Sequence, residues 1–271
     1  MIDSNTKYGT NKDKKKKYNV EFVSANPTGP LHVGHCRGAV LGDTISNLLI
    51  FNGNKVVKEY YVNDHGEQIK KFVHSVYYRI LEILKKEKFP TDKNLYPGDY
   101  IIDIAKKIIK DKNIKNFKNL ENIYKKLSII SLKYSIESII ANLNLLGIKH
   151  NNFVYESHLI DKKIVSKVIK KLKKEKYIYK GKLEAPKGSE SSEWIIREQL
   201  LFKSTIFGDD VDRSLQKADG DWTYFAGDMA YHADKISRKF DFLINILGAD
   251  HAGYVTRIKA ATKAISNNKV N

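Results

Sequence analysis

Asn19-Val-Glu-Phe-Val-Ser-Ala-Asn-Pro-Thr-Gly-Pro-Leu-His-Val-Gly-His-Cys-Arg37 is the stretch on which the fold turns. Asn19–Val23 alternates in polarity like a strand. Ala25, Asn26, Pro27, Thr28, Gly29 and Pro30 hold two prolines and a glycine, and read as a loop. From about Val33 to Phe51 the apolar residues Val40, Leu41, Ile45, Leu48 and Leu49 recur at helical spacing, and Asn52-Gly53-Asn54 supplies a glycine stop. Lys55–Val62 is strand-like again. A strand, a helix and a returning strand within about 45 residues make a βαβ unit, the start of a parallel nucleotide-binding sheet.

His32 and His35 stand three apart where the loop enters the helix, with Gly34 between them. Helix N-terminal N–H groups and their dipole favour an anion there. A glycine lets a nucleotide approach the backbone, and two imidazoles can donate hydrogen bonds to phosphoryl oxygens as charge builds. Zinc on His32, His35 and Cys36 is a poor fit, because His35 and Cys36 are adjacent and no fourth ligand is near. No metal site is expected. Ordinary helix-start histidines are the plain alternative; the surrounding strand, loop and returning strand favour phosphate handling.

Outward from this unit the pattern changes. Glu67–Lys86 and Leu120–Leu146 carry long helical patterns, and a loop opens at Phe89–Gly98 between them. Asn152–Glu156 is strand-like, and a Lys-rich helix is expected from about Ile160 to Glu175. Tyr177–Glu184 and Trp194–Thr205 read as hairpin strands about a turn at Pro186–Ser192. Asp221–Phe225 is expected to resume the sheet, followed by a helix over Gly227–Lys239, a strand over Phe242–Leu247 and a helix over Gly253–Ile265. The expected fold class is α/β: a Rossmann-like parallel nucleotide-binding sheet interrupted by a helical insertion and a smaller β-containing insertion. The boundaries are a polar basic tail or linker at 1–17, the Rossmann-like domain at 18–70, 148–175 and 222–271, the helical insertion at 71–147, and the second insertion at 176–221.

The chain has 271 residues and a formal charge of +17. A basic surface favours a polyanion such as RNA. Only six of the 48 basic residues are Arg, however, which weakens that signal, since phosphate-binding surfaces often prefer Arg. The run Lys14–Lys17 reads first as a solvated tail. One cysteine, Cys36, excludes an internal disulfide framework and suits a reducing cytoplasm. No apolar run approaches the ~20 residues that span a bilayer, and no secretory leader is expected, so a cytoplasmic protein without membrane partners is expected.

Ser24–His35 resembles the His-Ile-Gly-His motif of class I aminoacyl-tRNA synthetases, with Val33 in the Ile place. It is most similar to the bacterial arginyl-tRNA synthetase family, which shares the flanking Ser-x-Asn-Pro and the following Gly-His-x-Arg-Gly, here Gly34, His35, Arg37 and Gly38. The resemblance continues in Tyr61–Gln68, in Gly220–His232 and in Gly248–Tyr254, in family order. It implies an arginine–tRNA ligase, with ATP as substrate accompanied by Mg²⁺, arginine and tRNA(Arg) as partners, and a monomer when full length. His32 and His35 would stabilise the α-phosphate transition state. Pro30, Leu31, His32, Val33, Gly34 and His35 would line the ATP site, and Asp250 and His251 would join it at the adenosine or line the arginine site, with a plain structural turn after Gly248 as their alternative.

Arginine needs carboxylates and neutral acceptors for its planar, permanent cation. The resemblance places Glu21, Asn26, Tyr224 and Asp228 around it, with Asn26 at the α-amino and carboxylate end. Each has a bland alternative: a solvent-side strand residue for Glu21, a turn residue for Asn26, a core ring for Tyr224, and a dipole-favouring helix start for Asp228. Asp64 and Gln68 are expected to shape the crevice without chemistry. The family's N-terminal tRNA-elbow domain, second signature loop (Lys-Met-Ser-Lys-Ser or a variant) and helical anticodon-binding domain are not found. A fragment with little activity alone is therefore expected. A non-catalytic RNA-binding paralogue and a small-molecule nucleotidyltransferase stay open as alternatives.

Overall fold

The βαβ unit forms where the periodicity places it. In the computed structural model its elements are β1 (Lys17–Glu21), α1 (Val33–Phe51) and β2 (Lys55–Val62). The structure describes residues 8–10, 15–111, 113–114, 116–161, 163–183 and 197–270, without the side chains of Asp161 and Asp250. Gly42 on α1 faces Phe22, which directly follows β1. A Cβ at Gly42 would lie 2.2 Å from Phe22 Cγ, so only glycine permits this close packing of helix on strand.

With β3 (Asn152–Tyr155) and β7 (Phe242–Asn245) the sheet has four strands in the order β3-β2-β1-β7. Strand β3 runs parallel to β2, with Glu59 opposite Asn152 and Val62 opposite Tyr155. The buried Glu59 carboxylate accepts a hydrogen bond from Asn152 Nδ2 at 2.8 Å, which helps hold that register. At the other side of β1, the Lys17 N–H donates to Asp241 Oδ2 at 2.7 Å and the Asp241 N–H to the Lys17 carbonyl at 2.9 Å. The order of connection reverses at β1, the topology of nucleotide-binding sheets. The α/β expectation holds.

The chain divides into two units, and strands β1 and β2 pass from one into the other. One unit comprises Val20–Leu49 and Val57–Ser157. Here α2 (Glu67–Lys85), α3 (Asp99–Asp111) and α4 (Leu120–Leu145) pack into a helical bundle. Phe72, Val76, Ile80, Ile101, Ile104, Ile108 and Leu127 fill its core at three- and four-residue spacings. Asn119 caps α4, its side chain accepting from the Asn122 N–H. The α3 helix occupies sequence in which no separate helix is expected from the pattern.

The other unit comprises Met1–Asn19, Ile50–Val56 and His158–Asn271. Its core is Val168, Leu172, Phe202, Met229, Ala230, Ala260 and Ala264. These side chains come from α6 (Ile164–Lys174), β5 (Gln199–Phe202), α7 (Tyr224–Ser237) and α8 (Val255–Ser266). A small antiparallel sheet, β4 (Ile178–Gly181), β5 and β6 (Arg213–Ser214), contains the expected hairpin, with Ile178 opposite Phe202. The turn expected at Pro186–Ser192 lies outside the described residues, as do Trp194 and the Lys14 end of the basic run. Among the described residues no helix is long and apolar enough to cross a membrane.

Three expectations are corrected. Asp221–Phe225 is not a strand of the four-stranded sheet. Trp222 forms a lone antiparallel bridge to Gln216, and Thr223 caps α7, its Oγ1 accepting from the Ala226 N–H at 3.3 Å. The helix therefore starts at Tyr224, not Gly227. The Lys-rich segment is two helices, α5 (Glu156–Asp161) and α6, because Lys163 takes a left-handed φ of 53° that no α-helix continues through. Finally, a 3₁₀ segment over Ala249–Tyr254 precedes α8.

Candidate functional site

Strand β1 ends in a sharp reversal. Val23 (φ 69°) and Ser24 (φ 40°) both take positive φ, and the Ser24 N–H donates to the Phe22 carbonyl at 3.0 Å. This is a γ-turn centred on a β-branched residue, a strained conformation of the kind concentrated at ligand sites. The Ser24 hydroxyl holds it, donating to Glu21 Oε1 and accepting from the Tyr61 N–H, both at 3.0 Å. Glu21 is thus fixed at the end of the strand by its own loop.

His150 backs the turn. Its ring lies 4.2 Å from Phe22 and meets the edge of Tyr60 at 5.4 Å, and its Nε2 donates to the Phe22 carbonyl at 3.2 Å. Burial, only partly offset by that bond, lowers its pKa to about 4. The unfolded chain takes up this proton below about pH 6.5, whereas the folded one resists it until about 4. Stability attributable to His150 is therefore full above pH 6.5 and lost as pH falls between those values. Chemical denaturation at about pH 7 and about pH 4.5 should show His150→Gln losing about 2–3 kcal/mol less than the unaltered chain. Equal losses in both would show that His150 is not held neutral.

Beyond the turn, Ala25–Pro30 runs as an ordered loop. The buried Tyr60 donates its hydroxyl to the Ala25 carbonyl at 2.8 Å, and Asn26 Nδ2 donates to Gln68 Oε1 at 2.8 Å. Gln68 therefore orients the exposed Asn26 side chain. Asp64 is structural: its carboxylate accepts from the Ser157 N–H at 2.8 Å and the Ser157 hydroxyl at 2.6 Å, beside the start of α5. Pro30 and Leu31 lead the chain into α1, where Val33 is 84 % exposed at the helix head.

The two histidines stack with ring centroids 3.8 Å apart. The His32 N–H donates to His35 Nδ1 at 3.2 Å, and the Gly34 N–H donates to His32 Nδ1 at 3.1 Å. Each Nδ1 is an acceptor, so a neutral ring carries its proton on Nε2. Partial burial, then the neighbouring His32, lowers the pKa of His35, which favours that neutral form. A Cβ at Gly34 would sit 2.9 Å from His32 Cε1, so any other residue there would displace the His32 ring. Two Nε2–H donors at a helix N-terminus can bind phosphoryl oxygens. Among the described residues no group of three His, Cys, Asp or Glu side chains is arranged to hold a metal ion.

The remaining candidates lie on α7 and the segment before α8. Tyr224 and Asp228 are one turn apart on α7 and share a face. Tyr224 is 65 % exposed, with Lys217 Nζ 5.7 Å from its ring, so it is not a core residue. Asp228 is the fifth helical residue, beyond the first turn where a carboxylate mainly serves the dipole. The Tyr254 hydroxyl donates to Asp228 Oδ2. Burial, then the Asp228 charge, pushes the Tyr254 hydroxyl well above its ordinary pKa, so it stays a donor. Nearby, Arg213 grips Asp209 with Nε and Nη2 at 2.8 and 2.9 Å. His251 is exposed in the 3₁₀ segment, its N–H bonded to the Gly248 carbonyl. Asp250 shares that segment, and its side chain lies outside the described residues.

Tyr254, Ser24 and Tyr60 are contributors that the sequence reading assigns no role. Tyr254 closes the Gly248–Tyr254 block, so its signal was present. A tyrosine inside a strand, as at Tyr60, gives none.

Comparison with known proteins agrees across the chain. Residues 1–269 match the family described as tRNA synthetases class I (R), catalytic domain. An arginine–tRNA ligase of Pelagibacter ubique is 57 % identical over 271 residues, covering 99 % of this chain and 47 % of the relative. One from Ehrlichia chaffeensis is 51 % identical over 255 residues, 93 % of this chain and 44 % of the relative. The chain thus spans about half the length of the curated relatives it matches. A solved Campylobacter jejuni structure, described as an arginyl tRNA synthetase, superposes with a TM-score of 0.83 at 33 % identity, over 100 % of this chain and 56 % of that one.

Proposed function

The chain belongs to the family of class I tRNA synthetase (R) catalytic domains, and on that premise we propose that it carries ATP and arginine sites of an arginine–tRNA ligase. The observation that carries the reading is the His32–His35 pair, with both Nδ1 atoms occupied by backbone N–H groups at the head of α1. In the first step the arginine carboxylate attacks the α-phosphorus of ATP. The bond to the β-phosphate bridging oxygen breaks, and arginyl-adenylate and pyrophosphate form. In the second, a terminal ribose hydroxyl of tRNA(Arg) attacks the arginyl carbonyl and AMP leaves. Such steps need positioning and charge stabilisation more than a covalent protein nucleophile.

The Nε2–H groups of His32 and His35 meet the non-bridging oxygens as their charge grows. Pro30–His35 carry the triphosphate, which brings Mg²⁺ with it as part of the substrate, and Asp250 and His251 line the same ligand's site. Asp228 pairs with the guanidinium, Tyr224 gives it a ring face and a hydroxyl, and Glu21 and Asn26 serve the rest of the amino acid. The +17 charge suits a tRNA partner. The full-length enzyme is read as a cytoplasmic monomer.

The test is tRNA-stimulated ATP–pyrophosphate exchange by the full-length enzyme, with each amino acid supplied in turn. Exchange with arginine alone is expected. Exchange driven by a different amino acid, or tRNA binding without any exchange, would replace this reading.

A further inference from the structure

The loop Ala25–Pro30 contains two prolines, which have no N–H to donate, so its carbonyls need partners from elsewhere. Three hydroxyls supply them. Tyr60, on β2, serves Ala25. The other two come from the helical bundle: Ser135 of α4 donates to the Pro27 carbonyl at 2.8 Å, and Tyr100, next to the start of α3, donates to the Thr28 carbonyl at 2.8 Å. Ser135, Pro27 and Thr28 are buried, and Tyr100 is half-buried. Burial pushes the Tyr100 hydroxyl up to about 12, which keeps it a donor throughout the physiological range.

We infer that the helical bundle is a positioning device for the phosphate loop, acting through Tyr100 and Ser135 as positioning residues for ATP. The inference rests on the arginine–tRNA ligase reading and goes beyond it. Each hydroxyl is directed at a loop carbonyl. Each fixes a carbonyl four or five residues before His32, and so sets where the histidine pair stands when ATP arrives. The strand end alone cannot do this, because its tie to Tyr60 stops at Ala25, before both prolines. Loss of either hydroxyl leaves a carbonyl with one tether fewer while the bundle core of Phe72, Ile80, Ile101 and Leu127 is untouched.

A matched control exists within the same bundle. Tyr77 is buried and donates its hydroxyl to the Phe117 carbonyl at 3.0 Å, the same kind of bond with no loop contact. Tyr100→Phe and Tyr77→Phe thus remove equivalent groups. In the full-length enzyme, Tyr100→Phe and Ser135→Ala should each lower kcat/KM for ATP in arginine-dependent exchange by about 10-fold, and Tyr77→Phe by less than about 2-fold. Ser135→Thr, which keeps the hydroxyl, should retain most of the activity that Ser135→Ala loses.

A second readout does not depend on turnover. Amides from Thr28 to His35 should exchange with deuterium faster in Tyr100→Phe than in Tyr77→Phe. Equal effects of Tyr100→Phe and Tyr77→Phe on both readouts would reduce Tyr100 to a structural group and overturn the inference. So would unchanged activity and exchange in Tyr100→Phe and Ser135→Ala. An unaltered enzyme with no arginine-dependent exchange would instead overturn the functional reading, which separates the two failures.

Discussion

His35→Ala in the full-length enzyme is expected to lower kcat for arginine-dependent ATP–pyrophosphate exchange by about 10²–10³-fold, with KM for arginine changed less than about 3-fold. The size follows from what is removed. A preorganised donor aimed at charge that develops only in the transition state contributes about 3–4 kcal/mol, and it spares the ground state. His32→Ala should behave alike, since each ring packs on the other at 3.8 Å. The double variant should fall short of the product of the single effects, because the two rings act as one unit. His35, whose pKa is lowered by burial and then by His32, acts as a neutral Nε2–H donor, so activity should not decline as pH rises from about 6.5 to about 8.5. A loss of rate across that interval that disappears in His35→Ala would show that the imidazolium is the working form.

Asp228→Asn is the second large effect. A guanidinium is charged at every accessible pH, and an amide of the same shape offers it one acceptor and no charge. Removing one partner of a hydrogen-bonded charge pair costs about 3 kcal/mol, so KM for arginine should rise about 100-fold while KM for ATP stays within about 2-fold. Citrulline, which replaces the guanidinium with a neutral urea, supplies the sharper measurement. Its inhibition of exchange should be no weaker in Asp228→Asn than in the unaltered enzyme, so selectivity for the cation should collapse. Arginine KM unchanged by the substitution would remove Asp228 from the arginine site.

The phosphate loop and the elements on each side of it were legible because their signals are local. Helical periodicity over Val33–Phe51, the stop at Asn52-Gly53 and the strand-like segment Lys55–Val62 all lie within one βαβ unit. The start of α7 was misplaced because Trp222, Tyr224 and Phe225 look like strand residues, and the Thr223 cap overrides their propensity. The α5–α6 break depends on backbone at Lys163, a residue type that gives no hint of positive φ. The candidate residues themselves could be named from motif blocks. What orients them could not. Tyr100 reaches a carbonyl 72 positions away and Ser135 one 108 positions away, and no spacing rule covers such pairs.

The insertion between β2 and β3 also bears on how the chain assembles. Glu59 must find Asn152, and a disordered excursion of that length would make the pairing slow and entropically costly. Helices α2, α3 and α4 need mainly each other, so they can form early and shorten the search by bringing both ends of the excursion together. The nucleotide-binding sheet then becomes the late product of folding, with its outer strand delivered by a prebuilt bundle. Pulse-labelled amide exchange during refolding should find α2 and α4 protected before Phe153 and Val154; the reverse order would mean that the sheet nucleates the bundle.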